Sequence, residues 1–295
     1  MRRWREALDE KRVVLSGGFL LLLACACFAA PLLARVMGID PGNVDLYHRL
    51  AGPSLAHPLG TDEIGRDLLL RLLEGGRISL LVGIVAAIAA AGFGTAIGLL
   101  AGYRGGRLDA ALMRLTDGII ALPLLPLLVV LAALDLKKLG VPASLADSDA
   151  ISLYRIIILV ALVGWTTVAR LVRGTTLALK ARDFVRAAVA LGARPSRVML
   201  VHILPNLASP IIVATSLAVG EIILLESVLS FLGLGVAPPI ASWGNMLTGA
   251  QETIALAPQL ALYPGLLIFL TVIACNFLGD GLQDALDPRA ERRPT

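Results

Sequence analysis

Charged residues are scarce in this chain. Asp, Glu, Lys and Arg make up 16% of its 295 residues, against about a quarter in soluble domains. Together with 57% apolar residues and a mean hydropathy of +0.81, that shortage excludes a water-soluble globule. Cysteine is also sparse: Cys25, Cys27 and Cys275 lie in apolar runs without the paired spacing of a zinc or redox motif. The three histidines, His48, His57 and His202, fall in connections between apolar runs, so none stands within the membrane beside a buried nucleophile. There is no G-x-x-x-x-G-K-[ST] phosphate loop, no H-E-x-x-H, no C-x-x-C and no G-x-S-x-G. An intramembrane enzyme therefore has no residues to work with. A net charge of +4 comes without the basic, aromatic-interleaved patches that nucleic acid binding uses, which excludes nucleic acid as a partner.

What the chain does have is apolar length. Six segments, 13–37, 78–101, 117–136, 151–173, 206–232 and 256–279, can each cross a hydrocarbon core about 30 Å thick. Lipid offers no partner to backbone amides, so these spans must be helices and the expected fold is an all-α integral membrane protein with six transmembrane helices. The first run follows a basic start (Arg2, Arg3, Arg5, Lys11, Arg12), as a secretory signal would, but it is too long for a signal core and is read as a retained span. Gly83, Gly92, Gly94 and Gly98 give the second span small surfaces for close helix contact. Pro123 and Pro126 predict a kink in the third. Of the 26 basic residues, 18 fall on the side that holds both termini and eight on the other. The positive-inside tendency then places both termini in the cytoplasm.

Two connections exceed what topology needs, and long connections tend to carry function. The outer one, 38–77, holds Pro41, Pro53 and Pro58, then an amphipathic stretch. The inner one, 174–205, is basic and patterned: Phe184, Ala187, Ala188 and Leu191 recur at i, i+3, i+4 and i+7, one face of a short helix. Gly192 interrupts that helix and Pro195 suits the first turn of another. An extramembrane apolar stripe needs a cover, either a partner protein or the lipid headgroups.

Arg186-Ala187-Ala188, Gly192 and the following His202-Ile203-Leu204-Pro205-Asn206 resemble the E-A-A-x-x-x-G cytoplasmic loop of ABC importer permeases, with Arg186 in place of Glu and His202 in place of Ile. Three further stretches are similar to the C-type permease of dipeptide, oligopeptide and nickel importers. These are Leu59-Gly60-Thr61-Asp62-Glu63-Ile64-Gly65-Arg66-Asp67 with Arg71 and Gly76-Arg77-Ile78-Ser79-Leu80; Glu226 to Leu247, ESVLSFLGLGVAPPIASWGNML; and Asn276 to Arg289. The resemblance spans residues 10–290 and implies a type I ABC importer transmembrane domain. It divides the chain into an N-terminal segment with the first span and outer loop (1–77), a five-helix core with coupling loop (78–280), and a cytoplasmic tail (281–295).

The resemblance also implies a multi-pass protein of a bacterial-type inner membrane. Its expected partners are a homologous second permease, two cytoplasmic ATPase subunits docked on the inner loop, an extracytoplasmic solute-binding protein, and lipid. ATP and Mg would belong to the ATPases, leaving this chain without a cofactor. The chain is then expected to form half of the translocation pathway for di- or oligopeptides, with nickel or another small solute as the alternative cargo. An ion-coupled secondary carrier is the rival architecture.

Physical reasoning gives the motifs work. In the outer signature Gly60, Gly65, Gly75 and Gly76 are expected to permit turns, while Asp62, Glu63, Arg66, Asp67, Arg71 and Arg77 can form a hydrogen-bonded charged cap; a plain solvated loop is the alternative. Glu221 and Glu226 are candidate pathway residues, because a carboxyl group within a span normally faces protein or water. At about 1.5 Å per residue, Glu221 lies roughly 22 Å and Glu226 roughly 30 Å beyond Asn206. Five residues at about 100° each turn the two roughly 140° apart. Lining a pathway and forming a structural hydrogen bond both remain open for Glu221, and Glu226 is placed to tie down the turn at Gly233-Leu234-Gly235.

Overall fold

The computed structural model describes residues 10–138, 140–142, 144, 148 and 150–286. The basic cluster at Arg2, Arg3 and Arg5 and the end of the tail motif lie outside them. The described residues are helical, apart from connections and one isolated antiparallel bridge between Thr61 and Asp67.

Helix α1 (Lys11–Phe28) is followed directly by α2 (Ala30–Met37), so the first apolar run is divided at Ala29. Pro31 causes the division: its ring displaces the carbonyl four residues earlier and it offers no N–H. Gly38, in the left-handed conformation at φ 67°, ends α2.

Helix α3 (Leu68–Arg104) starts ten residues before the span expected at 78. Asp67 caps it, accepting from the Leu70 amide at 2.8 Å. Its 37 residues reach about 55 Å, so it projects beyond the hydrocarbon layer. Gly75 and Gly76, expected in turns, are inside this helix. A methyl group on Gly76 would come within 2.6 Å of the Trp243 ring, so glycine here admits a neighbouring side chain.

The third span is the largest departure from expectation. Helices α4 (Gly106–Ala121) and α5 (Leu124–Ala132) meet at 88°, a break instead of a kink. Pro123 forces Leu122 into extended geometry, with ψ 137°, and that ends α4. Pro126 lies in the first turn of α5, where its missing N–H has no helical partner to lose.

Helix α6 (Ile151–Lys180) pairs with α3 along a ladder of small residues. A Cβ on Gly94 would fall 2.5 Å from the Trp165 carbonyl oxygen, one on Gly98 2.4 Å from that of Ala169, and one on Gly102 2.8 Å from the Thr176 side chain. Where no hydrophobic expulsion drives helices together, such close backbone packing is the main attraction. Gly92 meets nothing within 4 Å and belongs to another face.

The short α7 (Asp183–Ala190) precedes α8 (Pro195–Phe231), whose second turn widens into a π-helix over Val198–Ile203. A further helix that the apolar runs did not reveal, α9 (Trp243–Thr253), lies between α8 and α10 (Gln259–Leu286). Its signal was the Ser242-x-x-Asn245 capping box: the Ser242 hydroxyl accepts from the Asn245 amide, and the Asn245 side chain accepts from the Ser242 amide at 3.0 Å. Counted by length and composition, α1, α3, α6, α8 and α10 can each cross a membrane, and the bent pair α4 and α5 makes six if it is counted as one span.

Candidate functional site

At one end of the bundle, α7 hangs between α6 and α8. Gly192, at φ 82°, turns the chain out of it, and the Leu191, Gly192 and Ala193 amides donate to the carbonyls of Ala187, Val189 and Ala188. Val185 anchors the helix: it is 1% exposed and packs with Val172, Val198, Ile203 and Leu207. The sequence pattern had missed this residue, because a single anchor produces no period. The predicted stripe points the other way. Phe184 is 46% and Leu191 88% exposed, Ala187 and Arg186 are exposed and Ala188 is half-buried. Leu191 sits just past the helix as its cap. His202 and Leu204 are half-buried in the π-helical turn and the start of regular helix, and Pro205 is exposed. The His202 carbonyl accepts from the Asn206 side chain at 2.8 Å. The result is an apolar, unpartnered face with a rigid backing.

At the opposite end the signature loop is a self-contained knot. The Asp62 carboxylate accepts from the amides of Ile64 and Arg66 and from Arg66 Nε at 2.7 Å, with Arg71 Nε at 3.5 Å. Asp67 pairs with His57 Nδ1 at 2.9 Å while capping α3. Thr61 donates to the His48 carbonyl and accepts from the Ala51 amide. Gly60 and Gly65 hold φ of 84° and 82°, so these two do make the turns. Two members of the expected cap go elsewhere. Glu63 leaves the knot to accept from Thr253 on α9 at 3.3 Å, and Arg77 lies over the Phe28 ring, 5.8 Å from its centre.

Between these ends is a buried polar node. Glu226 has no exposure, and it accepts from Ser79 at 3.1 Å and Ser230 at 2.6 Å. The Ser230 hydroxyl also accepts from the Val236 amide, and that of Ser79 from the Trp243 amide at 3.2 Å. Trp243 Nε1 donates to the Leu72 carbonyl at 2.9 Å. Glu226 was grouped with Glu221 as a candidate pathway residue, but a fully enclosed side chain lines no cavity. Here it binds α3, α8, the 233–236 turn and the start of α9 into one corner. Ser79 and Trp243, central to this node, stood in the signature stretches without a role, because their partners are more than 140 residues away.

Glu221 occupies a different environment. It is exposed and lines a groove of about 450 Å³ formed by α4, α5, α6 and α8, whose walls include Ile119, Leu122, Val163, Thr167, Ala214 and Ala218. Among the described residues nothing hydrogen-bonds to its carboxylate or pairs with it. Two cations on α6, closer to α7, are already engaged. Arg170 meets Asp117 at 2.5 Å, and Arg173 grips Asp109 through two nitrogens at 2.5 and 2.6 Å.

The family described as "Binding-protein-dependent transport system inner membrane component" matches residues 94–292. A glutathione transport system permease protein of Pectobacterium atrosepticum is 41% identical over 287 residues, covering 97% of this chain and 90% of its own. A dipeptide transport system permease protein of Alkalihalophilus pseudofirmus is 38% identical over 292 residues, again covering 97% and 90%. An oligopeptide transport system permease protein of Bacillus subtilis is 35% identical over 293 residues, with 98% and 90% covered. Near full-length identity at these levels, on a chain whose apolar helices cross a membrane several times, leaves one assignment: the chain belongs to the binding-protein-dependent transport system inner membrane component family.

Proposed function

We propose that this chain is the permease subunit of an ATP-driven peptide importer, forming half of the translocation pathway and coupling to a cytoplasmic ATPase through α7. The substrate class follows the relatives, whose names specify glutathione, dipeptide and oligopeptide transport. Pairing with a second permease rests on one observation, the exposed and unpartnered Glu221 in the membrane-spanning part of α8. A carboxylate at that depth is too costly to face lipid. Its groove therefore turns toward a second permease and the water-filled pathway between the two.

The coupling role rests on α7. An exposed apolar face with a buried valine behind it transmits force to α6 and α8 instead of folding away, and it suits a groove on an ATPase subunit. Both termini and α7 then lie in the cytoplasm, and the signature knot faces the compartment where a solute-binding protein docks. Lipid surrounds the remaining helix faces, and ATP and Mg act in the partner subunits.

The test is reconstitution. With both permeases, the ATPases and the binding protein in proteoliposomes, peptide uptake is expected only with ATP and only when all components are present. Uptake by this permease alone, driven by an ion gradient, overturns the proposal in favour of a carrier.

A further inference from the structure

We infer that Glu221 is a cation-selecting group for the cargo: it favours passage of peptides with an additional ammonium or guanidinium group over neutral and acidic ones. The inference rests on the proposed importer reading and concerns what that groove prefers.

Three observations carry it. The Glu221 carboxylate is exposed into a groove that is otherwise almost entirely aliphatic, so one charge dominates the local potential. No described residue satisfies that carboxylate. The nearby hydroxyl of Thr166 is already committed to the Val163 carbonyl at 3.0 Å. The cations of α6, which do not line the groove, are committed elsewhere. Arg170 stands one turn from Thr166 on the same helix, yet its guanidinium is drawn to Asp117, and Arg173 is held by Asp109 with bidentate geometry. Two basic residues are thus neutralised on the α4 side while one acidic residue is left open on the α8 side.

The chemistry of the groove sets the class of ligand. Aliphatic walls accept the side chains and stems of peptides without selecting among them, since one methylene changes affinity only slightly. A single carboxylate on an otherwise aliphatic wall of the pathway attracts a positive group strongly enough to discriminate. One carboxylate without converging hydrogen-bond donors or a second anion is too little to trap the cargo, which a pathway requires.

The experiment uses the complete reconstituted importer with Ala-Ala-Ala, Ala-Lys-Ala and Ala-Glu-Ala as labelled cargo. Dividing each variant's uptake by the wild-type uptake of the same peptide cancels the preference of the unchanged binding protein. For Glu221→Gln the expected result is normal recovery of the assembled complex and uptake of Ala-Lys-Ala reduced about tenfold relative to Ala-Ala-Ala, equivalent to about 1.4 kcal/mol. Glu221→Asp, which keeps the charge, should retain the preference. Equal effects of Glu221→Gln on all three peptides overturn the inference. So does loss of the assembled complex in that variant, because the carboxylate would then be a contact with the second permease. Failure of the wild-type complex to move any peptide is a separate result and removes the peptide-importer reading itself.

Discussion

Glu226 on α8 and Ser79 on α3, 147 positions apart in the chain, meet at 3.1 Å in an environment from which solvent is wholly excluded. The contact makes α3, α8 and the chain entering α9 one mechanical unit, since Ser79 also receives the Trp243 amide. Replacing Glu226 by an apolar residue leaves the Ser79 and Ser230 hydroxyl protons buried without an acceptor, at a cost of about 1–3 kcal/mol.

Glu226→Leu should therefore lower the midpoint of thermal unfolding in detergent and reduce folded yield for every cargo alike. Ser79→Ala should do the same to a smaller degree. Normal stability of Glu226→Leu together with selective loss of transport would show that Glu226 acts in the pathway after all.

The glycines of α3 separate packing from composition. Gly94→Val is expected to break the contact with α6, because even a methyl group would fall 2.5 Å from the Trp165 carbonyl oxygen. Overpacking of this kind costs about 1–3 kcal/mol or more. Gly92→Ala, with nothing within 4 Å, should be neutral or stabilising by up to about 1 kcal/mol. Size-exclusion profiles at rising temperature distinguish the two, and similar behaviour of both variants refutes the α3–α6 ladder.

Two substitutions two residues apart on α7 should fail for different reasons. Ala187→Asp places a charge on the exposed stripe, so the permease should stay folded while ATPase co-purification or coupled hydrolysis falls. Val185→Asp puts the charge in the anchor, which is 1% exposed, and should destabilise the loop itself. Wild-type transport by Ala187→Asp and by Gly192→Pro removes α7 as the coupling element.

Orientation is checked by labelling. In a background without Cys25, Cys27 and Cys275, a cysteine at position 196 should resist an impermeant thiol reagent in intact cells, and one at position 148 should react. The reverse pattern inverts the topology and with it the ATPase-docking proposal.

The apolar spans, the helical class, the interruption at Gly192 and the outward apolar stripe of α7 were legible in the chain because each depends on local composition or a short period. So was the angular separation of the two glutamates on one helix, which 3.6 residues per turn fixes. Which of the two faces the groove depends on the packing of α8 against α3 and α6, and sequence spacing carries no information about that. The same reason explains the other surprises. Gly75 and Gly76 read as turn residues until Trp243 is seen to fill the space beside them. Arg77 counted as part of a charged cap until α1 and α2 brought Phe28 beneath it. The proline pair announced a bend, but its size of 88° depends on how α5 packs against α6 through Leu128, Ile156 and Val160. Local chemistry determined the elements of this protein, and side chains meeting across more than a hundred residues decided which face lines the groove and which is locked inside.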